Sequence, residues 1–117
     1  MDSKKWSKTA LRATLGLIVL AGLFHLSHKN FLLFHTFCEL FSIAVAWSVF
    51  LLVWNTRRIG AGDALVFLGI AFFFIGFIDF FHTLAYKGMG ILGESDTPEY
   101  ATQLWIAARG LEATSLL

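Results

Sequence analysis

The sequence predicts an all-α fold, an integral-membrane helical bundle with four transmembrane helices in this chain and more outside it. Two observations carry this. Of the 117 residues, 57% are hydrophobic and only 15% are charged, where an ordinary soluble domain has roughly 45–50% apolar residues. The apolar residues also gather into four blocks, 9–26, 31–54, 64–86 and 102–117, to be compared with the roughly 20 residues needed to cross a hydrocarbon core of about 30 Å.

The first block opens with Arg12, which crosses only if its guanidinium reaches back to the interface along its apolar stem. Lys4, Lys5 and Lys8 precede it. This is the charged start of a signal peptide, but no small-residue cleavage pattern follows, so an uncleaved span is expected. The second block follows after little more than His28-Lys29-Asn30, and so short a connection predicts a helical hairpin of spans one and two. Asn55 and Thr56 are expected to stop span two, with Gly60 and Gly62 loosening the next loop and Asp63 as the N-cap of span three. Pro98 lies just ahead of span four, where a helix can start. The fourth block is short and reaches Leu117 without a Gly, Pro or basic stop signal, so a domain that continues past this point is expected.

Basic residues set the orientation. Lys4, Lys5, Lys8, Arg12, Arg57 and Arg58 lie at one set of ends, whereas Lys29 and Lys87 share the other set with Glu94, Asp96 and Glu99. The N-terminus is thereby predicted cytoplasmic, in a multi-pass membrane protein. The net charge of +1, without interleaved basic and aromatic residues, gives no support to nucleic-acid binding. One cysteine, Cys38, allows neither an internal disulfide nor a cysteine zinc cage.

Ionisable residues inside spans cost a few kcal/mol each on insertion scales and mark a functional interior. This chain has His25 in span one, His35 and Glu39 in span two, Asp79 and His82 in span three, and Arg109 and Glu112 in span four. His35 and Glu39 are four apart; Asp79, His82 and Tyr86 are three and four apart; Trp105, Arg109 and Glu112 repeat the spacing. Each helix therefore shows its polar groups on one face. At 1.5 Å per residue these groups fall about 6–18 Å inward from the outer ends, an outer-half pocket with no inner-half counterpart. Helix-to-helix hydrogen bonding alone is the plainer account. With neutral histidines, however, Glu39, Asp79 and Glu112 outnumber Arg109 by two formal charges, which protons, protonated histidine or a bound cation would offset.

The expected ligand-binding set is His35, Glu39, Asp79, His82, Tyr86, Trp105, Arg109 and Glu112. A divalent metal (zinc, iron or manganese) on His35, Glu39, Asp79 and His82 fits imidazole and carboxylate preferences. A haem between His35 and His82 fits less well because it leaves three carboxylates unexplained. The run from Gly88 to Gly93 matches G-x-G-x-x-G but follows a membrane span and precedes Glu94 and Asp96, so it reads as a loop and not as a phosphate cradle. No nucleophile with its base is visible, so no catalytic residue is assigned.

The segments FHTFCELFSIAVAWSVFLLVWNTRR, FLGIAFFFIGFIDFFHTLAYKGMGIL and TQLWIAARGLEATSLL, in this order, resemble the type-three membrane-associated sensor domain (MASE3) of bacterial signalling proteins. The likeness rests on H-x-x-x-E, D-x-x-H-T-x-x-Y-K-G-M and W-x-x-A-R, which place His35, Glu39, Asp79, His82, Tyr86, Lys87, Gly88, Met89, Trp105 and Arg109 at motif positions. The resemblance implies a sensory input domain without enzyme activity, joined to a histidine kinase, diguanylate cyclase or related cytoplasmic output module in the same polypeptide, as in two-component signal transduction. The expected partners are the lipid bilayer, a small ligand or ion and that module, with a homodimer left open. The rival function is a transporter or proton-relay subunit, for which intramembrane acids and histidines are equally apt.

Overall fold

The structure, a computed structural model, describes residues 3–60, 62–91 and 98–117. It is all-helical, with no strand among the described residues: α1 Ser3–Lys29, α2 Phe31–Thr56, α3 Asp63–Ala85 and α4 Pro98–Ser115. The acidic positions Glu94 and Asp96, and the end of the Gly88–Gly93 run, lie outside the described residues. The chain divides into two units, residues 1–35 and 36–117.

In the first unit, α1 starts and ends further out than its apolar block, because the flanking residues 3–8 and 27–29 include no Pro or Gly to stop the helix. Its last turn is closed by side chains. Ser27 Oγ and His28 Nδ1 both donate to the Phe24 carbonyl, at 2.7 and 3.0 Å. The break before α2 is the single residue Asn30, whose amide still donates to Leu26 O while its Oδ1 accepts from the Leu33 amide at 3.0 Å. Asn30 thus ends one helix and caps the next. His25 is exposed on α1.

Three helices, α1, α2 and α3, are long and apolar enough to cross a membrane. The fourth predicted span is not among them. α4 is 18 residues long and carries Glu99, Arg109 and Glu112, and it begins at Pro98, earlier than the predicted 102, because proline is at home in a first helical turn. α3 also corrects an expectation: its N-cap is Gly62, and Asp63 is the first helical residue, beside the positive end of the helix dipole. At the far end of α2, Asn55 Nδ2 and Thr56 Oγ1 fold back onto Leu51 O and Leu52 O at 2.7 and 2.9 Å. Arg57 donates to Trp54 O, and its guanidinium lies 3.8 Å from the centroid of the Trp54 ring.

In the second unit α3 is the central helix. It runs antiparallel to α2, since successive contacts move forward on one and back on the other: Thr36 with Met89, Glu39 with His82, Trp47 with Phe77, Phe50 with Phe73. Small residues set the approach. A Cβ on Gly69 would meet Val53 at 2.9 Å, and one on Gly76 would stand 2.5 Å from Trp47 Nε1. α3 also packs on α4, and small residues are buried on both helices, Ala85 on α3 and Ala101 and Ala108 on α4. This is the small-residue packing by which membrane helices associate when burial of apolar surface drives nothing.

Burial is inverted relative to a soluble protein. Asp79, His82 and Thr83 are at most 5% exposed, whereas Phe41 is 72% and Leu52 66% exposed. In water this arrangement would be costly twice over; in lipid both halves are favoured. The 26 residues of α2 and 23 of α3 span about 39 and 35 Å at the α-helical rise, enough for the hydrocarbon core.

Gly76→Ala is expected to destabilise the second unit by about 1–3 kcal/mol through overpacking against the indole. Melting in detergent should show this, and Trp47→Phe in the same chain should recover part of the loss. An unchanged melting temperature would disprove the close α2–α3 approach.

Candidate functional site

The site is built from three elements of the second unit, each contributing residues at helical spacing. Asp79 and His82 lie one turn apart on the buried face of α3. Arg109 NH2 donates to Asp79 Oδ2 at 2.6 Å, and its NH1 donates to Glu112 Oε2, one turn further along α4, at 2.5 Å. One guanidinium thus holds two carboxylates, the fork geometry for which arginine is suited and lysine is not. Thr83 Oγ1 donates to the Asp79 backbone carbonyl at 2.8 Å and so satisfies its own hydroxyl inside the helix.

His82 links α3 to both neighbours. Its Nδ1 lies 2.8 Å from the Ala101 carbonyl, which only accepts, so the Nδ1 proton is fixed there. The small side chain at 101 lets the ring come this close. Nε2 is consequently turned toward α2, 3.9 Å from Glu39 Oε1. That separation is an electrostatic contact and too long for a hydrogen bond. Glu39, Asp79 and Glu112 stand against Arg109, a formal surplus of two negative charges when His82 is neutral.

Beside the ion pair is a cavity of about 240 Å³ lined by Phe41, Ser42, Val45 and Ala46 of α2, Phe72, Ile75 and Asp79 of α3, and Arg109 and Glu112 of α4. Two polar atoms on its lining side chains, Asp79 Oδ1 and Arg109 Nε, are buried and have no hydrogen-bond partner among the described residues. The rest of the lining is apolar except for Ser42 and Glu112.

Of the residues marked out by the sequence, Glu39, Asp79, His82, Arg109 and Glu112 come together in this unit. Tyr86 stands next to them, its ring edge-on to His82 with centroids 6.1 Å apart. Trp105 stands on the same face of α4 as Ala101 and Ala108, four residues after one and three before the other, but its large ring is 47% exposed. His35 is half-buried at the end of the first unit, its ring 6.2 Å from that of Phe31, one turn before Glu39 along α2. Cys38 is exposed.

Other participants carried no polar signal. The Ala101 carbonyl is invisible in a sequence because every residue has one. Ser42 and Ala46 were legible in principle, since they stand three and seven residues after Glu39 and continue its face with small side chains. Phe72 and Ile75 look like every other apolar residue of α3.

A family model described as a membrane-associated sensor domain, MASE3, matches residues 26–117. Neither the curated proteins nor the solved structures yield a match.

Arg109→Gln leaves Asp79 buried without its cation. Removal of one partner of a buried pair costs about 3–5 kcal/mol, and since the Arg109 side chain is 38% exposed a loss near or below the low end is expected. The double variant Arg109→Gln/Asp79→Asn should regain most of it in detergent melting curves. Strict additivity of the two single losses would show that the pair does not act as a unit.

Proposed function

Since the chain belongs to the MASE3 membrane-associated sensor domain family, we propose that it is the input domain of a bacterial signal-transduction protein, with a kinase- or cyclase-type output module in the same polypeptide. The polar centre of α2, α3 and α4 is the place where the stimulus is read. One observation carries this reading: Asp79, 3% exposed in a lipid-facing helix, holds Arg109 of α4 at 2.6 Å next to a cavity. Anything that enters this cavity and competes for Asp79 or Arg109 changes how α3 and α4 are tied. A shift between packed helices is a standard way to carry such a change to a distant module.

The basic residues at 57 and 58 put the α2–α3 connection on the cytoplasmic side, and with it the polar centre in the outer half of the bilayer. On this reading α4 is a fourth crossing, its charged residues turned inward and met by α3. The chain itself is non-catalytic; its chemistry is binding, and its effect is a bias on helix positions.

A second reading is favoured by His82. A backbone carbonyl on Nδ1 is the arrangement that orients a metal-binding imidazole, and here it turns Nε2 toward Glu39. Glu39 and His82 would then supply two ligands to a divalent zinc, iron or manganese ion. Metal analysis of purified protein distinguishes this: a stoichiometric ion that is lost in both Glu39→Gln and His82→Ala is expected, and equal metal content in all three proteins would end it.

The sensor reading is tested in the full-length protein by measuring output in membranes. Asp79→Asn and Arg109→Gln should each move the basal output by about fivefold or more, the low end of usual coupling energies, at unchanged membrane level. Leu52→Ala, on an exposed face, should leave it alone. If the polar variants insert normally and signal as the parent does, the polar centre is not the input site.

A further inference from the structure

We infer that the connection between α2 and α3 carries a binding site for an anionic phospholipid, its phosphate held by Arg57 and Arg58 and its acyl chains lying along the exposed end of α2. This site is separate from the polar centre. Asp63, which opens α3, precedes Asp79 by about 24 Å at the α-helical rise. Neither the site nor its test depends on the polar centre being the input.

The two cations come first. Arg57 is held in place: one of its N–H groups donates to Trp54 O, and its guanidinium lies 3.8 Å from the centroid of the Trp54 ring. Stacking on the indole fixes the plane of the guanidinium and leaves its remaining N–H groups at the edge. Arg58, the next residue, is exposed. Among the described residues neither arginine has a carboxylate within ion-pair distance. Two adjacent guanidiniums, one of them preset, are a donor set that phosphate oxygens take in charge-assisted, bidentate fashion.

The apolar neighbours put that phosphate on a lipid. Leu51, Leu52 and Trp54, in the last two turns of α2, are exposed and run up to the arginines. Ile59 follows Arg58 at 85% exposure, and Gly60 then turns the chain with φ 131°, a conformation that suits glycine. Tryptophan and an exposed isoleucine beside two cations match the boundary between headgroups and acyl chains. A soluble phosphate would meet the guanidiniums and leave these side chains unused.

Charge selects the headgroup. A choline or ethanolamine headgroup brings an ammonium close to two arginines, and the connection 55–62 contains no acidic residue to receive it. The nearest, Asp63, already stands at the positive end of α3. A glycerol headgroup adds hydroxyls and no cation, so the phosphate charge is left to the arginines. In the orientation proposed above, the lipid belongs to the inner leaflet.

The test uses the full-length protein in phosphatidylcholine nanodiscs with a small fraction of phosphatidylglycerol that carries a diazirine near the head of one acyl chain. Crosslinks are expected within 51–59. Unlabelled phosphatidylglycerol should displace them at least about tenfold better than phosphatidylcholine or phosphatidylethanolamine, since each basic residue near an anionic surface is good for about a fivefold preference. Arg57→Gln and Arg58→Gln should each lower the preference by about that factor. Arg57→Lys should lower it too: it keeps the charge and the topology signal but not the planar fork, so a loss there is no effect of altered insertion. Lys87→Gln, which removes an exposed cation from the other end of α3, should leave the preference alone. Labelling without headgroup preference, or an unchanged preference in Arg57→Lys, would overturn the proposal. So would displacement by inorganic phosphate as effective as by the lipid, which would assign the arginines to a soluble anion.

Discussion

The ion pair between Asp79 and Arg109 is the constraint around which the second unit is arranged. A carboxylate at 3% exposure in a lipid-facing helix has no water to solvate it, and its desolvation cost amounts to several kcal/mol unless a cation and hydrogen bonds replace the water. Among the described residues α4 brings that cation, Arg109. α4 is far less apolar in composition than α2 or α3, with Glu99, Arg109 and Glu112 in 18 residues, so its own hydrophobicity does little to hold it at α3. The pair ties them, and Ala101 and Ala108 make the approach short enough for the pair to form.

α3 meets its two neighbours by different means. Toward α2 the contact is aromatic and steric: Trp47, Phe50, Phe73 and Phe77 stack against one another, and Gly69 and Gly76 admit Val53 and the indole. Toward α4 it is polar, through Asp79 and through the hydrogen bond from His82 to Ala101 O. A tightly packed seam beside a polar seam with a cavity is a natural division of labour for a sensor. The first holds register, and the second has groups whose partners a ligand or ion can exchange. His82 belongs to both seams, since its ring spans from the α4 backbone to Glu39 of α2.

The candidate site was largely legible as a set of residue types and only partly as a place. Intramembrane Glu39, Asp79, His82, Arg109 and Glu112 announce themselves because lipid makes each of them expensive, and their spacing of three or four assigns each to one face of its helix. Trp105 shares that spacing with Arg109, yet it is 47% exposed; an aromatic ring is equally at ease facing lipid, so its place in the pattern carries no such information. Asp63 looked like a cap because aspartate often is one, but Gly62 precedes it in extended conformation, φ −63° and ψ 156°, and takes that place. The extent of α4 was misread because Pro98 and Glu99 look like loop residues in an apolar sequence although both suit a first helical turn.

What the sequence determined by itself is the solvent and the secondary structure. Runs of apolar residues of membrane length admit only helices, since every backbone N–H and C=O has to be met within the segment, and charged residues placed inside those runs have to face one another. The tertiary structure decided which partners they take. That Arg109 binds both Asp79 and Glu112, that His82 spends its Nδ1 proton on a backbone carbonyl, and that one oxygen of Asp79 and the Nε of Arg109 are left over beside a cavity all depend on distances of a few tenths of an ångström between helices. These distances follow from the packing of Gly76, Ala101 and Ala108, small residues that carry no chemistry of their own and whose meaning appears only when the facing helix is in place.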